Sequence, residues 1–136
     1  MNIEQLRKAA ENGDAAAQLE LGDRYRDGED IKQDYQQAVY WYRLTAEQGN
    51  ADAQNRLAAR YVQGQGVDKD RDQAEYWWMK AAEQGCEKVI KNLLNYYEVN
   101  YYEDKYGSET YALKMSKALE IVGKNGNAET QYEVGD

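Results

Sequence analysis

Three aspartates at alternate positions, Asp68-Lys-Asp70-Arg-Asp72, are spaced like the opening of a calcium-binding loop. Such a loop also needs glycine at its sixth place and a bidentate glutamate at its twelfth. Here those places hold Gln73 and Met79. The earlier copy of the stretch has only Lys32, Asp34 and Gln36, so the aspartates read as a helix start rather than a cation site. Nucleophilic chemistry fares no better. The chain has no histidine and one cysteine, Cys86, and its serines are Ser108 and Ser116. A nucleophile needs an adjacent base, and no imidazole is there to serve. Cys86 sits near an expected helix N-terminus, at the place where the earlier copies have the capping residues Asp14 and Asn50, and with Glu83 and Glu87 beside it the site is not electropositive, so it reads as a tolerated capping-site variant. One thiol without an imidazole does not make a zinc site. Gly64-Gln-Gly66 lacks the third glycine and the preceding strand of a phosphate cradle, so it reads as a turn. No catalytic residue, cofactor or metal is expected, and the protein reads as a non-enzyme.

The elements that carry these residues are repeated. Ala10-Glu-Asn-Gly13, Ala46-Glu-Gln-Gly49 and Ala82-Glu-Gln-Gly85 recur every 36 residues. A fixed period in this range marks stacked supersecondary units. Ala15-Ala-Ala-Gln18 through Gly28 aligns with Ala51-Asp-Ala-Gln54 through Gly64, and Asp34 through Arg43 aligns with Asp70 through Met79. A third copy has drifted but keeps Leu93, Tyr97 and Ala112, and a fourth opens at Ala128-Glu-Thr-Gln131.

Each half-unit predicts one helix. Ala17, Leu21 and Tyr25 return every fourth residue, and Ala38 with Trp41 or Ala74 with Trp77 every third, giving single apolar stripes. Gly13, Gly49 and Gly85 stand where a left-handed C′ residue ends a helix. Asp14 and Asn50 follow as N-caps, and Asp34 and Asp70 open the second helices. Gly22 and Ala58 lie on the apolar face, where a minimal side chain admits a neighbouring helix. Tyr25, Tyr61, Tyr97, Trp41 and Trp77 repeat with the fold and are expected in its core.

The pattern A-x-A-Q-x-x-L-G-x-x-Y, G-x-G-V-x-x-D, A-x-x-W and A-A-E-Q-G resembles the Sel-one-like repeat, a branch of the tetratricopeptide-type helical hairpins. Repeat two carries nearly all of it, through Gly64-Gln-Gly66-Val67 and Ala81-Ala-Glu-Gln-Gly85. Repeat one departs at Asp30, which replaces the second loop glycine. Repeat three departs most, with Leu94 for the small packing residue and Asn100 for the loop glycine. The resemblance implies an all-α, right-handed α-solenoid of about three hairpins. Its expected parts are a capping helix at 1–12, repeat one at 14–49, repeat two at 50–85, a divergent repeat three at 86–126 and a partial fourth at 127–136. A short final helix is expected near residues 127–134.

Charge narrows the partners. Twenty-five acidic residues against 17 basic ones give a net charge of −8, which repels nucleic acid and attracts a cationic protein. No apolar run approaches the about 18 residues of a membrane span. Charged residues occupy the N-terminus where a signal peptide would need an apolar core. The lone cysteine lacks the pairing that secreted members of the resembled family often carry. A cytoplasmic protein of bacterial style is expected.

By analogy with tetratricopeptide hairpins, the first helix of each hairpin lines a concave groove. That register turns Leu19, Asp23 and Arg26 inward, then Asn55, Ala59 and Val62, then Lys91, Asn95 and Glu98. These positions vary between copies while the core positions repeat. The groove reads as mixed and polar, with no cluster of arginine or lysine to clamp an anion. Tyr101, Tyr102 and Tyr106, in an expected irregular loop from Asn100 to Gly107, add apolar area with polar tips that suits interface anchoring. The function expected is non-catalytic protein binding. One form is an immunity protein that covers a basic toxin domain, which the short acidic chain without export signals suits. The alternative is an adaptor or scaffold subunit of a larger complex.

Overall fold

A computed structural model describes residues 2–102 together with 113–114, 116–117 and 119–120. It contains helices α1 (Ile3–Glu11), α2 (Ala15–Asp27), α3 (Tyr35–Glu47), α4 (Ala51–Gln63), α5 (Arg71–Ala82) and α6 (Glu87–Tyr102), with no strand among the described residues. Two compact units, Met1–Trp77 and Trp78–Asp136, divide the chain.

In the first unit the sequence stops and restarts its helices by local chemistry. Gly13 and Gly49 hold φ of 96° and 95°, and Asp14 and Asn50 then accept the N–H of Ala17 at 3.0 Å and of Ala53 at 2.9 Å. Asp34 accepts from Gln36 and Gln37, and Asp70 from Gln73 at 3.1 Å. Each bond satisfies a donor that the first turn of a helix leaves free. α1 has a full capping box, in which Gln5 N donates to Asn2 Oδ1 and Asn2 N to Gln5 Oε1.

Packing then follows chain order: α1 on α2, α2 on α3, α3 on α4. Leu6, Ala10, Ala17, Leu21 and Trp41 form one buried cluster. Tyr42 is wholly buried. Its ring lies so close to Gly22 that an added Cβ would come within 2.7 Å of it, which is why that helix position carries glycine. The linkers repeat as the helices do. Asp34 N donates to Tyr25 O at 2.9 Å and Asp70 N to Tyr61 O at 3.1 Å.

Two buried glutamines tie the hairpins together. Gln18 Nε2 donates to the Ala10 carbonyl at 3.0 Å and Gln54 Nε2 to the Ala46 carbonyl at 3.1 Å. Both carbonyls lie in the last turn of the preceding helix and also accept a turn N–H, from Gly13 at 3.1 Å and Gly49 at 3.0 Å, so each glutamine takes the second acceptor site of its carbonyl. The Gln18 Oε1 also accepts from Gln48 at 2.9 Å and from the buried Thr45 hydroxyl.

Burial corrects the core expectation at one place. Trp41, Tyr61, Trp77 and Tyr97 are buried, but Tyr25 is only half-buried at the edge of the first cluster. Arg43 lies over the Tyr61 ring at 5.8 Å and donates to its hydroxyl at 2.8 Å. The residue 36 places earlier, Arg7 in the capping helix α1, makes no such contact with Tyr25.

In the second unit Ala81, Ala82, Val89, Ile90, Leu93 and Tyr97 are buried, and the Trp78 and Tyr96 rings meet at 5.2 Å. Gly85 has φ of 79°. Cys86 O then accepts from Ile90 N at 3.0 Å, the backbone bond that Asp14 and Asn50 make at the same place. α6 corrects the expected loop. Gly28 and Gly64 end α2 and α4 in the left-handed region, at φ of 70° and 67°. Asn100 replaces that glycine, and the helix runs on through Tyr102. Asn100, Tyr101 and Tyr102 are therefore helical, while Tyr106 and the expected helix at 127–134 lie outside the described residues.

Candidate protein-binding surface

Leu19, Asp23 and Arg26 follow one another at four and three residues along α2, and Asn55, Ala59 and Val62 do the same along α4. All six are half-buried, neither core nor fully solvated. The two helices meet at Asp23, whose Oδ1 takes the Arg56 Nε at 2.9 Å and the Arg26 guanidinium at 3.4 Å. The same oxygen accepts from the buried Tyr42 hydroxyl at 2.5 Å. Asp23 thus joins α2, α3 and α4 at a single carboxylate.

Electrostatics at this junction follow from burial and pairing. Burial, then the bond to Asp23 and its charge, push the Tyr42 phenol up from its ordinary value. Arg26 forks onto Asp27 through Nε at 2.8 Å and Nη2 at 3.0 Å. That bond raises Arg26 and holds the Asp27 carboxyl below its usual range. Burial lowers Arg60, which also feels the charges of Arg26 and Asp27. It remains a cation, since a guanidinium does not deprotonate in proteins. Arg60 Nη1 donates to Gln65 at 2.7 Å, and its guanidinium lies 5.8 Å from the Tyr35 ring centre.

Three guanidinium groups, Arg26, Arg56 and Arg60, therefore stand with Asp23 and Asp27 on this face, where the sequence reading expected no arginine cluster. Arg56 and Arg60 are one turn apart on α4, so their alignment with each other was visible in the chain. Their proximity to Asp23 depends on how α4 is rotated against α2, which spacing along one helix does not reveal. Arg26 and Arg56 pair with the two carboxylates and Arg60 does not, which leaves a polar face with one positive charge in surplus.

In the second unit Lys91, Asn95 and Glu98 share one stripe of α6 and are exposed. Lys91 Nζ lies 3.7 Å from Glu87, a spacing and exposure at which a pair contributes little. Tyr101 and Tyr102 continue the same helix. No group of three or more His, Cys, Asp or Glu residues among the described residues is arranged to hold a metal.

Comparison with known proteins agrees with this architecture. The Sel1 repeat profile matches residues 6–14, 15–50 and 51–86. A protective antigen of uropathogenic Escherichia coli strains, displaying an SLR fold, superposes at a TM-score of 0.73 with 32% identity, covering 98% of this chain and 27% of the antigen. A Sel1 repeat protein from Oxalobacter formigenes superposes at 0.68 with 29% identity, covering 98% and 97% of the two chains. Helicobacter pylori cysteine rich protein B gives 0.62 and 29% over 66% of this chain and 68% of its own. The secretory immunoglobulin A-binding protein EsiB of Escherichia coli O6:H1 (strain CFT073) is 51% identical over 43 residues, 32% of this chain and 9% of EsiB. The chain thus spans about a quarter of the antigen and a tenth of EsiB. The all-α solenoid class expected from the sequence is the class of these structures.

Proposed function

The chain belongs to the Sel1 repeat family, whose members mediate protein–protein interaction, and from that premise we propose that it is a non-catalytic module binding a protein partner through the exposed faces of α2 and α4. One observation carries the reading. Leu19, Asp23 and Arg26 differ in type from Asn55, Ala59 and Val62 at the same places in the next repeat, while the buried positions around them recur. The repeat does not dictate residues that stand half-exposed and change from copy to copy; Asp23 and Arg26 also serve the junction of α2, α3 and α4, whereas Leu19, Asn55, Ala59 and Val62 make none of its ion pairs. The Asp23 junction beneath them holds the two helices in fixed register, which lowers the entropy cost of binding. Lys91, Asn95 and Glu98 on α6, with Tyr101, Tyr102 and Tyr106, are proposed as further contacts.

The test substitutes Leu19→Glu and Val62→Glu together and measures partner capture by the intact chain, with helicity checked by circular dichroism. Capture unchanged in a folded double variant would place binding elsewhere. A sharper form of the same reading is a cytoplasmic immunity protein that neutralises a basic toxin domain, and the surplus of eight negative charges favours it. Acidic surfaces speed association with a basic partner. Co-expression with the product of the neighbouring gene decides between this and an adaptor role. Failure to protect cells from that product, and failure to co-purify with it, removes the immunity reading.

A further inference from the structure

The same arginine–tyrosine pair occurs twice in the first unit at a spacing of 36 residues, closed at Arg43 and Tyr61 and open at Arg7 and Tyr25. The Arg43 guanidinium of repeat one covers Tyr61 of repeat two and donates to its hydroxyl at 2.8 Å, and Tyr61 keeps 8% of its surface exposed. The other pair is Arg7 of the capping helix α1 and Tyr25 of repeat one, and the two help line a cleft of about 440 Å³. Tyr25, Ile31, Lys32, Gln33 and Gln37 line it with Arg7. Among the described residues neither Arg7 nor Lys32 has an ion-pair or hydrogen-bond partner. Asp34 also lines the cleft, with its Oδ1 engaged by the first N–H groups of α3.

Sequence explains the difference in charge. Position 68 in repeat two is aspartate, and position 32 in repeat one is lysine. Repeat one therefore sets a second cation beside Arg7 where repeat two supplies an anion. Against the one carboxylate of Asp34, these two cations leave the cleft a single positive charge in surplus, which one further carboxylate would neutralise. The Tyr25 hydroxyl adds a neutral donor, and Ile31 gives an apolar wall.

We propose that this cleft receives an acidic side chain from the protein partner, a glutamate or aspartate in an exposed segment, held by Arg7, Lys32 and the Tyr25 hydroxyl. The proposal rests on the protein-binding reading and adds a second contact to it. The volume suits one acidic residue and part of its neighbour, at the lower end of the usual range of small-ligand sites. A locally basic cleft on an acidic protein also supplies orientation. A partner drawn in by overall charge docks in one way only when its own acidic residue meets this spot.

The experiment titrates the full chain with N-acetyl-Glu-Glu-amide and follows backbone amide shifts by NMR, using N-acetyl-Gln-Gln-amide and acetate as controls. Saturable shifts at Tyr25 and at residues 31–33 are expected with the glutamate probe alone, weakening as salt screens the charges. Arg7→Gln and Lys32→Asp, both at exposed positions, should each weaken the glutamate probe by at least about tenfold. Equal shifts with the glutamine probe, shifts that persist in Lys32→Asp, or no shift at all would overturn the proposal. Equal shifts with acetate would reduce the cleft to a simple anion site and overturn it as well. Partner capture that depends on Leu19 and Val62 while the peptide fails would leave the protein-binding reading standing and remove only this cleft.

Discussion

Substituting Gly66 by alanine should destabilise the first unit far more than the same change at Gly13. Both glycines hold positive φ, 83° and 96°. A side chain in the left-handed region costs about 1–2 kcal/mol wherever it occurs. At Gly13 nothing lies within 4 Å of an added Cβ, so that strain is the whole cost. At Gly66 the new atom would lie 2.6 Å from the Tyr35 carbonyl carbon and 2.9 Å from Val39 Cγ2. The first of these is backbone, which no rotamer change can clear. Forcing extra volume into a packed site costs a further about 1–3 kcal/mol. The expected losses are therefore about 1–2 kcal/mol for Gly13→Ala and about 2–5 kcal/mol for Gly66→Ala. Asp30, with φ of 62°, holds the same place one repeat earlier and is the non-glycine residue in this conformation among those described. Asp30→Gly relieves that strain but removes the 2.7 Å pair with Arg24, whose carboxylate side is largely exposed. The pair is worth up to about 1 kcal/mol, so this change should be close to neutral. Urea unfolding followed by circular dichroism measures all three. Equal losses for Gly13→Ala and Gly66→Ala would refute the close approach of the α4–α5 turn to α3.

Tyr42→Phe tests the Asp23 junction through pH. A phenol raised above its unfolded value favours the folded state fully below about pH 10, and that contribution is lost as pH rises toward the folded value, at about 1.4 kcal/mol per pH unit. Urea midpoints between pH 8 and 11 should fall more steeply in the parent than in Tyr42→Phe, and identical slopes would show that Tyr42 ionises freely. Gln54→Ala removes the buried bond to the Ala46 carbonyl and should cost about 1–3 kcal/mol, with faster hydrogen exchange in the last turn of α3. Asn50→Ala deletes an N-cap and should cost about 0.5–2 kcal/mol, read as a lower thermal midpoint without loss of helix content at low temperature.

Whatever depends on neighbours along the chain was legible in the sequence. Asp14, Asn50, Asp34 and Asp70 cap helices that begin within three residues of them, so their role needs no knowledge of the rest of the molecule. Trp41 and Trp77 announced their burial through the period of the repeat. The half-exposed Tyr25 was not legible, because its exposure depends on whether an arginine eighteen residues away folds over it. The same holds for Gln18 and Gln54, whose recurrence marked them but whose bonds to Ala10 and Ala46 needed the helices placed. At the candidate surface, the stripe Asn55, Ala59 and Val62 could be drawn from periodicity alone. The pairing of Arg56 with Asp23 could not. The expected loop at Asn100 was drawn from the repeat pattern, and the missing glycine that extends α6 was the signal against it.

The glutamine latches also set how the repeats respond to temperature. Gln18 and Gln54 join each hairpin to the helix before it by a hydrogen bond, but the same place in repeat three holds the buried aliphatic Ile90. Apolar burial loses strength on cooling, so a junction with an aliphatic residue where the others have a buried amide leans more on the contribution that cold weakens. With Ile90 at that place, the junction of α6 with the end of α5 is expected to loosen first on cooling, ahead of the two that keep their glutamine.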